Sequence, residues 1–336
     1  MANLTTTYLG LKLKNPIIAS SSTLTSNVEN IIHLEKSGVS AIVLRSIFEE
    51  EITLEANRFI EHAVKDGYDE GLFDYYDLKI KQNNVDEYLK LVKEAKAAVN
   101  IPVIASVNCK SNHEWIYFAK KIEDAGADAL ELNMFFLPSW SKRTVEENEA
   151  LYFDIIKKVL AQLTIPVTLK VSHYFSDLST MLLKLSKTGI HGLVLFNKFF
   201  TPDFDIETEK MTQHYVYSTC EDIALPLRWI SILSSQLKKE ENNNCNIVGS
   251  TGVHDGEGAI KLILAGADAV QIASTLYLNG YEQVGKILEK LESWMDEKKY
   301  SSLTDFKGKL SYQGGEYAEQ YERTQFMKNF GDKDIE

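Results

Sequence analysis

Lys170 offers the most pointed chemistry in the chain. It stands near the end of an apolar run, Val167-Thr168-Leu169-Lys170-Val171. A lysine in such surroundings needs a partner or an anion. Three uses fit it: a Schiff base with a carbonyl substrate, a cation against the electron-rich atoms of a cofactor ring, or a buried structural ion pair. Schiff-base chemistry also expects acid and base groups close by, and none is evident at the neighbouring candidate positions, so the ring-holding cation fits better. Asn133 and Asn197 close comparable runs. Each amide offers one acceptor and two donors, which suits the edge of a planar ring. A lone asparagine there is commonly a turn former, whereas two of them flanking the lysine run point to a ligand.

A second group of residues suits phosphate. Gly249-Ser250-Thr251-Gly252 combines small side chains with accessible backbone N–H groups, and Ala273-Ser274-Thr275 adds hydroxyls after another apolar run. Such turns bind anions, and a helix opening near Asp255 to Gly258 is expected to help with its positive end. The other polar residues at run ends are Ser20 and Ser21, Arg45 and Ser46, Ser106 and Asn108, and Ser172. Only Arg45 and Lys170 are charged among them, and none is acidic. That argues against a paired-carboxylate glycosidase and a metal hydrolase, and no metal site is expected.

The elements that must carry these residues show up as a repeat. A helix-ending glycine followed by a short apolar run occurs four times, as Gly38-Val39-Ser40-Ala41-Ile42-Val43, Gly126-Ala127-Asp128-Ala129-Leu130, Gly189-Ile190-His191-Gly192-Leu193 and Gly266-Ala267-Asp268-Ala269-Val270. Another phrase precedes each: Asn15-Pro16-Ile17-Ile18-Ala19, Ile101-Pro102-Val103-Ile104-Ala105, Ile165-Pro166-Val167-Thr168 and Cys245-Asn246-Ile247-Val248. Glycine accepts the left-handed helix end, and unbroken apolar runs suit parallel strands buried on both faces. Apolar stripes at helical spacing mark Asp86 to Val99, Glu146 to Leu163 and Tyr281 to Glu297. Eight strands alternating with helices predict a single α/β domain, a (β/α)8 TIM barrel, with an open doubly wound sheet as the runner-up. Longer connections follow the second, fourth and sixth strands, at 47–100, 134–164 and 198–244. They are expected as insertions on the C-terminal face, where barrel sites are built. The stretch to Lys14 is expected to form a hairpin closing the barrel floor. The barrel domain is assigned to 1–310 and a polar C-terminal tail to 311–336.

Composition agrees with an ordinary globular chain, at 44 % hydrophobic and 25 % charged residues over 336. The net charge of −12 argues against a nucleic-acid partner. There is no apolar stretch of transmembrane length and no basic-then-apolar signal segment at the start. Cys109, Cys220 and Cys245 make no metal or disulfide pattern, which suits a reducing, cytoplasmic location.

At these residues the chain resembles the dihydroorotate dehydrogenase family of FMN-containing barrels. The resemblance runs from about Leu4 to Leu310. Its most specific part is Val248-Gly249-Ser250-Thr251-Gly252-Val253-His254-Asp255-Gly256 with Ala265-Gly266-Ala267-Asp268-Ala269-Val270-Gln271-Ile272-Ala273-Ser274-Thr275, which looks like the family's FMN phosphate site. Asn15-Pro16-Ile17-Ile18-Ala19-Ser20-Ser21 resembles its first-strand signature, Thr168-Leu169-Lys170-Val171 the segment whose lysine meets the flavin, and Phe196-Asn197 the end whose asparagine binds the pyrimidine. The resemblance implies an FMN oxidoreductase of the dihydroorotate-to-orotate type, in pyrimidine biosynthesis. It implies an FMN site from Ala19, Ser20, Ser21, Arg45, Ser46, Asn108, Asn133, Lys170, Phe196, Gly249, Ser250, Thr251, Gly252, Ala273 and Ser274. Asn133 and Asn197 would bind substrate, with Lys170 and Asn133 as catalytic residues. A soluble homodimer nearest the fumarate-type branch is also implied.

The chain departs from the family pattern at four places. The family's Cys or Ser base after strand 4 falls on Phe136 or Leu137, neither of which can take a proton; Ser139 and Ser141 lie near but out of register. Arg45 stands for a family lysine, an acidic and aromatic stretch from Glu49 to Tyr76 replaces an asparagine-bearing loop, and two family glycines are Thr251 and Ala273. The alternative is therefore a non-catalytic or altered-specificity flavoprotein that binds a nucleobase-like ligand.

Overall fold

A computed structural model of the chain describes residues 2–48, 54, 73–108, 112–137, 143–198, 201–213, 216–241 and 243–312. Its strands are β1 (Thr6–Tyr8), β2 (Leu11–Leu13), β3 (Ile17–Ala19), β4 (Ala41–Val43), β5 (Ile47–Phe48), β6 (Val103–Asn108), β7 (Ala129–Asn133), β8 (Val167–Val171), β9 (Gly192–Leu195), β10 (Pro202–Asp205), β11 (Lys210–Gln213), β12 (Asn246–Ser250) and β13 (Ala269–Ile272). Eight of these, β3, β4, β6, β7, β8, β9, β12 and β13, pair in parallel and close on themselves. Closure runs through Ile272 beside Ala19 and Val43 beside Ile104. The eight apolar runs of the sequence are these eight strands, and the fold is a (β/α)8 barrel. One addition escaped the repeat: β5 leaves the barrel wall yet pairs with the end of β6, Ile47 opposite Val107.

The helices are α1 (Val28–Ser37), α2 (Phe73–Ala98), α3 (Asn112–Asp124), α4 (Val145–Leu160), α5 (Leu178–Ser186), α6 (Ala224–Leu237), α7 (Gly256–Ala265), α8 (Ser274–Asn279) and α9 (Gln283–Lys298). Their starts are written locally. The Asn27 side chain accepts from Asn30 N, Asp177 from Thr180 N, and Thr144 forms a reciprocal capping box with Glu147. Gly38 closes α1 at φ 108°, a region closed to most side chains.

The repeated phrase has a repeated job. After each helix-ending glycine, a polar side chain reaches the start of the preceding barrel strand. Ser40 Oγ donates to Ile17 O, Asp128 Oδ2 accepts from Val103 N, His191 Nδ1 from Val167 N, and Asp268 Oδ2 from Ile247 N. These bonds satisfy backbone groups at the strand ends facing the floor.

The β1–β2 hairpin seals that floor as expected. Tyr8, Leu9 and Leu13 pack with the inward Ile18, Val43, Ile104, Val194 and Val248 as a core of their own. Buried Tyr8 donates to Thr168 Oγ1 at 3.0 Å. A larger core lies between the strands and the surrounding helices. Past the last helix the chain stays attached: Leu310 N and Tyr312 N donate to Leu264 O and Ser231 O. The rest of the tail, from residue 313, lies outside the described residues. No helix among the described residues is long and apolar enough to cross a membrane. With the floor plugged, the polar strand ends gather at the opposite mouth.

Candidate functional site

Strands β7 and β8 run in register, with Asn133 beside Lys170, so both residues arrive at the same level of the barrel mouth. Lys170 is buried. Its ammonium donates to Ser20 Oγ on the strand end after β3 at 2.9 Å, and to Gln271 Oε1 on β13 at 3.0 Å. Gln271 in turn donates to Glu131 Oε2 at 2.6 Å. Burial pushes the Lys170 ammonium below its ordinary pKa, and the Glu131 charge opposes that.

Two hollows meet at Lys170. The smaller, about 110 Å³, is walled by Ser250, Thr251, Gly252, Ala273, Ser274 and Ser218. Its described polar lining consists of N–H, amide, hydroxyl and ammonium groups, without a carboxylate, which is the donor set that a phosphate dianion needs. Thr251 and Gly252, both at the wall of the hollow, have positive φ, 78° and 81°. Gly252 is required twice over. A Cβ there would run into Ile223 N, with Ile223 Cα 2.6 Å away. Thr251 holds its conformation with a bond from Oγ1 to Phe196 O at 3.0 Å. The long connection after β9 folds back here, where Ser218 N donates to Ser274 Oγ and the Ser218 hydroxyl meets His254 Nε2 at 3.0 Å. The hollow thus fits a phosphate-bearing group.

The larger hollow, about 470 Å³, is bounded by Arg45, Ser46, Asn108, Asn133, Asn197, Lys198 and Phe135, and it shares Ser21, Lys170, Asn197 and Lys198 with the smaller one. Asn197 Nδ2 donates to Asn133 Oδ1 at 2.8 Å. The pair keeps an N–H2 on one side chain and a carbonyl on the other, complementary to the edge of an amide-bearing ring. Ser46 links Ser21 and Ser106 through its hydroxyl, at 3.1 and 2.7 Å. A roomier hollow of about 660 Å³ opens on the floor side, between Lys12, Asn246 and Lys307. It lies at the wrong end of the strands for barrel chemistry.

A model of the dihydroorotate dehydrogenase family matches residues 3–295. The chain belongs to the dihydroorotate dehydrogenase family. It is 26 % identical over 310 residues to the catalytic subunit of dihydroorotate dehydrogenase B (NAD(+)) of Thermoplasma acidophilum, covering 92 % of this chain and 99 % of the relative. The Methanocaldococcus jannaschii protein of the same name is 26 % identical over 298 residues, 88 % of this chain and 94 % of that one. The chloroplastic dihydropyrimidine dehydrogenase (NADP(+)) of Arabidopsis thaliana is 25 % identical over 237 residues, covering 66 % and 54 %. The two archaeal relatives carry the NAD(+), B-type description rather than the fumarate-type one that the layout suggested.

Most residues expected for a site of the dihydroorotate dehydrogenase type line one of the two hollows. Three stand back from both. Ala19 is fully buried in β3, Phe196 offers its backbone carbonyl to Thr251, and Gly249 makes room for Leu262, whose Cδ1 would lie 2.5 Å from an added Cβ. The helix expected to open at Asp255 to Gly258 does begin there: α7 starts at Gly256, and Asp255 caps it by accepting from Gly258 N, with neither Asp255 nor Gly258 among the residues that line the hollow. Ala273 and Ser274, leading into α8, line the hollow instead. Ser139 and Ser141, most of the Glu49 to Tyr76 stretch and Cys109 lie outside the described residues.

Sequence reasoning missed Glu131 and Gln271. No acid ends a strand beside Lys170, but Glu131 sits two residues inside the end of β7. A legible signal existed: Leu130-Glu131-Leu132 and Val270-Gln271-Ile272 each place a long polar residue inside a strand otherwise buried on both faces. Two such residues in one barrel interior must meet each other or a ligand.

Proposed function

We propose that the chain is an FMN-dependent oxidoreductase acting on a CH–CH bond of a dihydropyrimidine-like substrate, as in dihydroorotate oxidation to orotate. One observation carries this: buried Lys170 stands where a phosphate-sized, donor-lined hollow meets a larger one edged by paired asparagines. Bound FMN would accept one hydrogen of the CH–CH bond as hydride, two electrons with one proton, while the other would leave as a proton. Ser250, Thr251, Gly252, Ala273 and Ser274 hold its phosphate. Ser20, Ser21, Arg45, Ser46 and Asn108 border the space for its ring, and Lys170 sets a positive charge where the reduced ring becomes negative. Asn133 and Asn197 hold the pyrimidine edge. A homodimer, a cytoplasmic setting and a place in pyrimidine biosynthesis go with this reading.

A second reading is favoured by one contact. Phe136, one of the two residues on which the family's base position falls, packs edge-on against Tyr152, and neither it nor Leu137 offers anything to take a proton. The protein would then bind a nucleobase-like ligand with slow turnover or a different substrate. Purification followed by anaerobic titration with dihydroorotate separates the readings. A yellow protein that releases FMN and bleaches at a catalytic rate supports the enzyme. Bound FMN without bleaching supports the second reading, and failure to bind added FMN at micromolar concentration overturns both.

A further inference from the structure

Glu131 is fully buried inside the barrel, on β7, and nothing in the proposed reaction uses it. Its position is costly. Oε2 accepts from Gln271, while Oε1 has no hydrogen-bond partner. A buried carboxylate with one oxygen unmatched destabilises a fold, and an apolar residue of the same size would pack better. The structure therefore keeps a charge here for a reason other than stability.

The direction of the hydrogen bonds shows what the charge acts on. Lysine only donates, so Lys170 must face the carbonyl oxygen of Gln271. The Gln271 amide nitrogen is then turned to Glu131, whose Oε2 must accept. A proton on the carboxyl would have to sit on Oε1, where it would find no acceptor. The ionised carboxylate is the form that completes the chain, and Ser20, bound to both Lys170 and Gln271, locks its near end. The other ionisable groups around the pair come from different elements. Arg45 after β4 and Lys198 after β9 border the Lys170 cavity. Tyr8 from the floor hairpin and Tyr88 from α2 lie within reach of the Glu131 charge, and both are pushed up, first by burial and further by that charge. The carboxylate whose charge acts on Lys170 is that of Glu131.

We propose that Glu131 is a positioning residue that acts through the Gln271 amide, holding Lys170 protonated and aimed at the cofactor ring. This rests on the reading of Lys170 as the flavin-facing cation. Arg45 and Lys198 bring positive charge to the same cavity, and burial disfavours the ammonium further, so an internal counter-charge is what favours the protonated Lys170.

The test is the titration of Lys170 itself, followed by NMR of isotope-labelled lysine and assigned with Lys170→Arg, in apoprotein and in protein loaded with FMN. In Glu131→Gln the Lys170 titration is expected to move to lower pH by about one unit or more. Glu131→Asp, which keeps the charge, is expected to restore most of the shift. In the FMN-loaded protein the flavin midpoint potential should step down at the lowered pH. A merely structural Glu131 would lower the melting temperature and leave the Lys170 titration where it was; that result overturns the proposal. If Glu131→Gln does not fold, Gln271→Met carries the test. It removes both bonds of the relay but no charge, is expected to shift Lys170 in the same direction, and overturns the proposal if Lys170 is unmoved. The apoprotein arm needs no flavin, so absence of FMN binding would refute the functional reading and the aim at a cofactor ring, while the Lys170 titration still tells whether Glu131 acts on Lys170.

Discussion

The ring of Phe136 stands edge-on to that of Tyr152, with centroids 5.3 Å apart and planes at 89°. Tyr152 is in turn edge-on to Phe175 at 5.1 Å. Phe136, one of the two residues on which the family's base position falls, is thus part of an aromatic stack against α4. Leu137, its neighbour, is 48 % exposed. Dihydroorotate should therefore reduce the flavin more slowly than general-base help would allow, by about 10²–10⁴-fold. Leu137→Cys should recover part of that with a thiolate pH dependence, read by stopped-flow bleaching. Phe136→Cys should instead lower stability by opening the stack, by less than the about 3–5 kcal/mol of a fully buried phenylalanine because Phe136 is half-buried, read by denaturant unfolding. Rapid reduction by the unmodified protein would show that another group takes the proton.

Thr251 offers a sharper test of the phosphate cradle than Gly252, where any side chain meets the Ile223 backbone. A β-branched residue at φ 78° is strained, by about 1–3 kcal/mol. The Thr251 bond to Phe196 O offsets about 1 kcal/mol of it. Thr251→Gly should leave FMN affinity and stability within about 1 kcal/mol of the starting protein. Thr251→Ala keeps the strained backbone and loses the bond, so it should be the less stable variant by about 1 kcal/mol in chemical unfolding.

The barrel was legible because its physics is local. A glycine-ended helix followed by a buried run recurs four times, and each recurrence places Ser40, Asp128, His191 or Asp268 on the strand before it. The convergence of Thr251, Gly252 and Ser274 on one hollow was legible for the same reason, since all three are adjacent to strands that the pattern located. What was not legible depends on contacts between distant strands. Glu131 and Gln271 are 140 residues apart and meet across the barrel interior. Ser218 reaches Ser274 from the far end of a long connection. Neither pairing has a periodicity to announce it.

Glu123, at the end of α3, ties the next connection to the barrel's outside. It accepts from Thr164 N at 2.7 Å and Ile165 N at 3.1 Å, and pairs with Lys120 at 2.7 Å. Burial pushes its carboxyl up, but these hydrogen bonds outweigh it and hold the pKa down at about 2, from an ordinary 4.5. A depressed carboxylate stabilises the fold above its unfolded pKa and loses that contribution as pH falls through the folded value. Glu123→Gln should therefore be less stable at pH 7, by about 1–3 kcal/mol. The gap should narrow below pH 4.5 and close towards pH 2, as measured by urea unfolding at a series of pH values. A gap independent of pH would mean that the amide keeps the same bonds and that the charge contributes nothing.

Lys170 lines both hollows. Lys170→Met keeps the length of the side chain and removes the charge and the bonds to Ser20 and Gln271. The oxidised ring is neutral, so oxidised FMN should still bind. The reduced ring is anionic, and without a cation beside it that form becomes costlier. The midpoint potential should fall, by about 30 mV for each 1.4 kcal/mol of lost stabilisation in a two-electron couple. Spectroelectrochemical titration of the loaded variant against the starting protein reads this directly. The carboxylate of Glu131 remains in the variant with its counter-charge gone, and its field pushes the potential in the same direction. Glu131→Gln added to Lys170→Met should therefore recover part of the fall. If Lys170→Met alone leaves the potential unchanged, the ammonium serves only to neutralise Glu131, and the flavin does not lie against it.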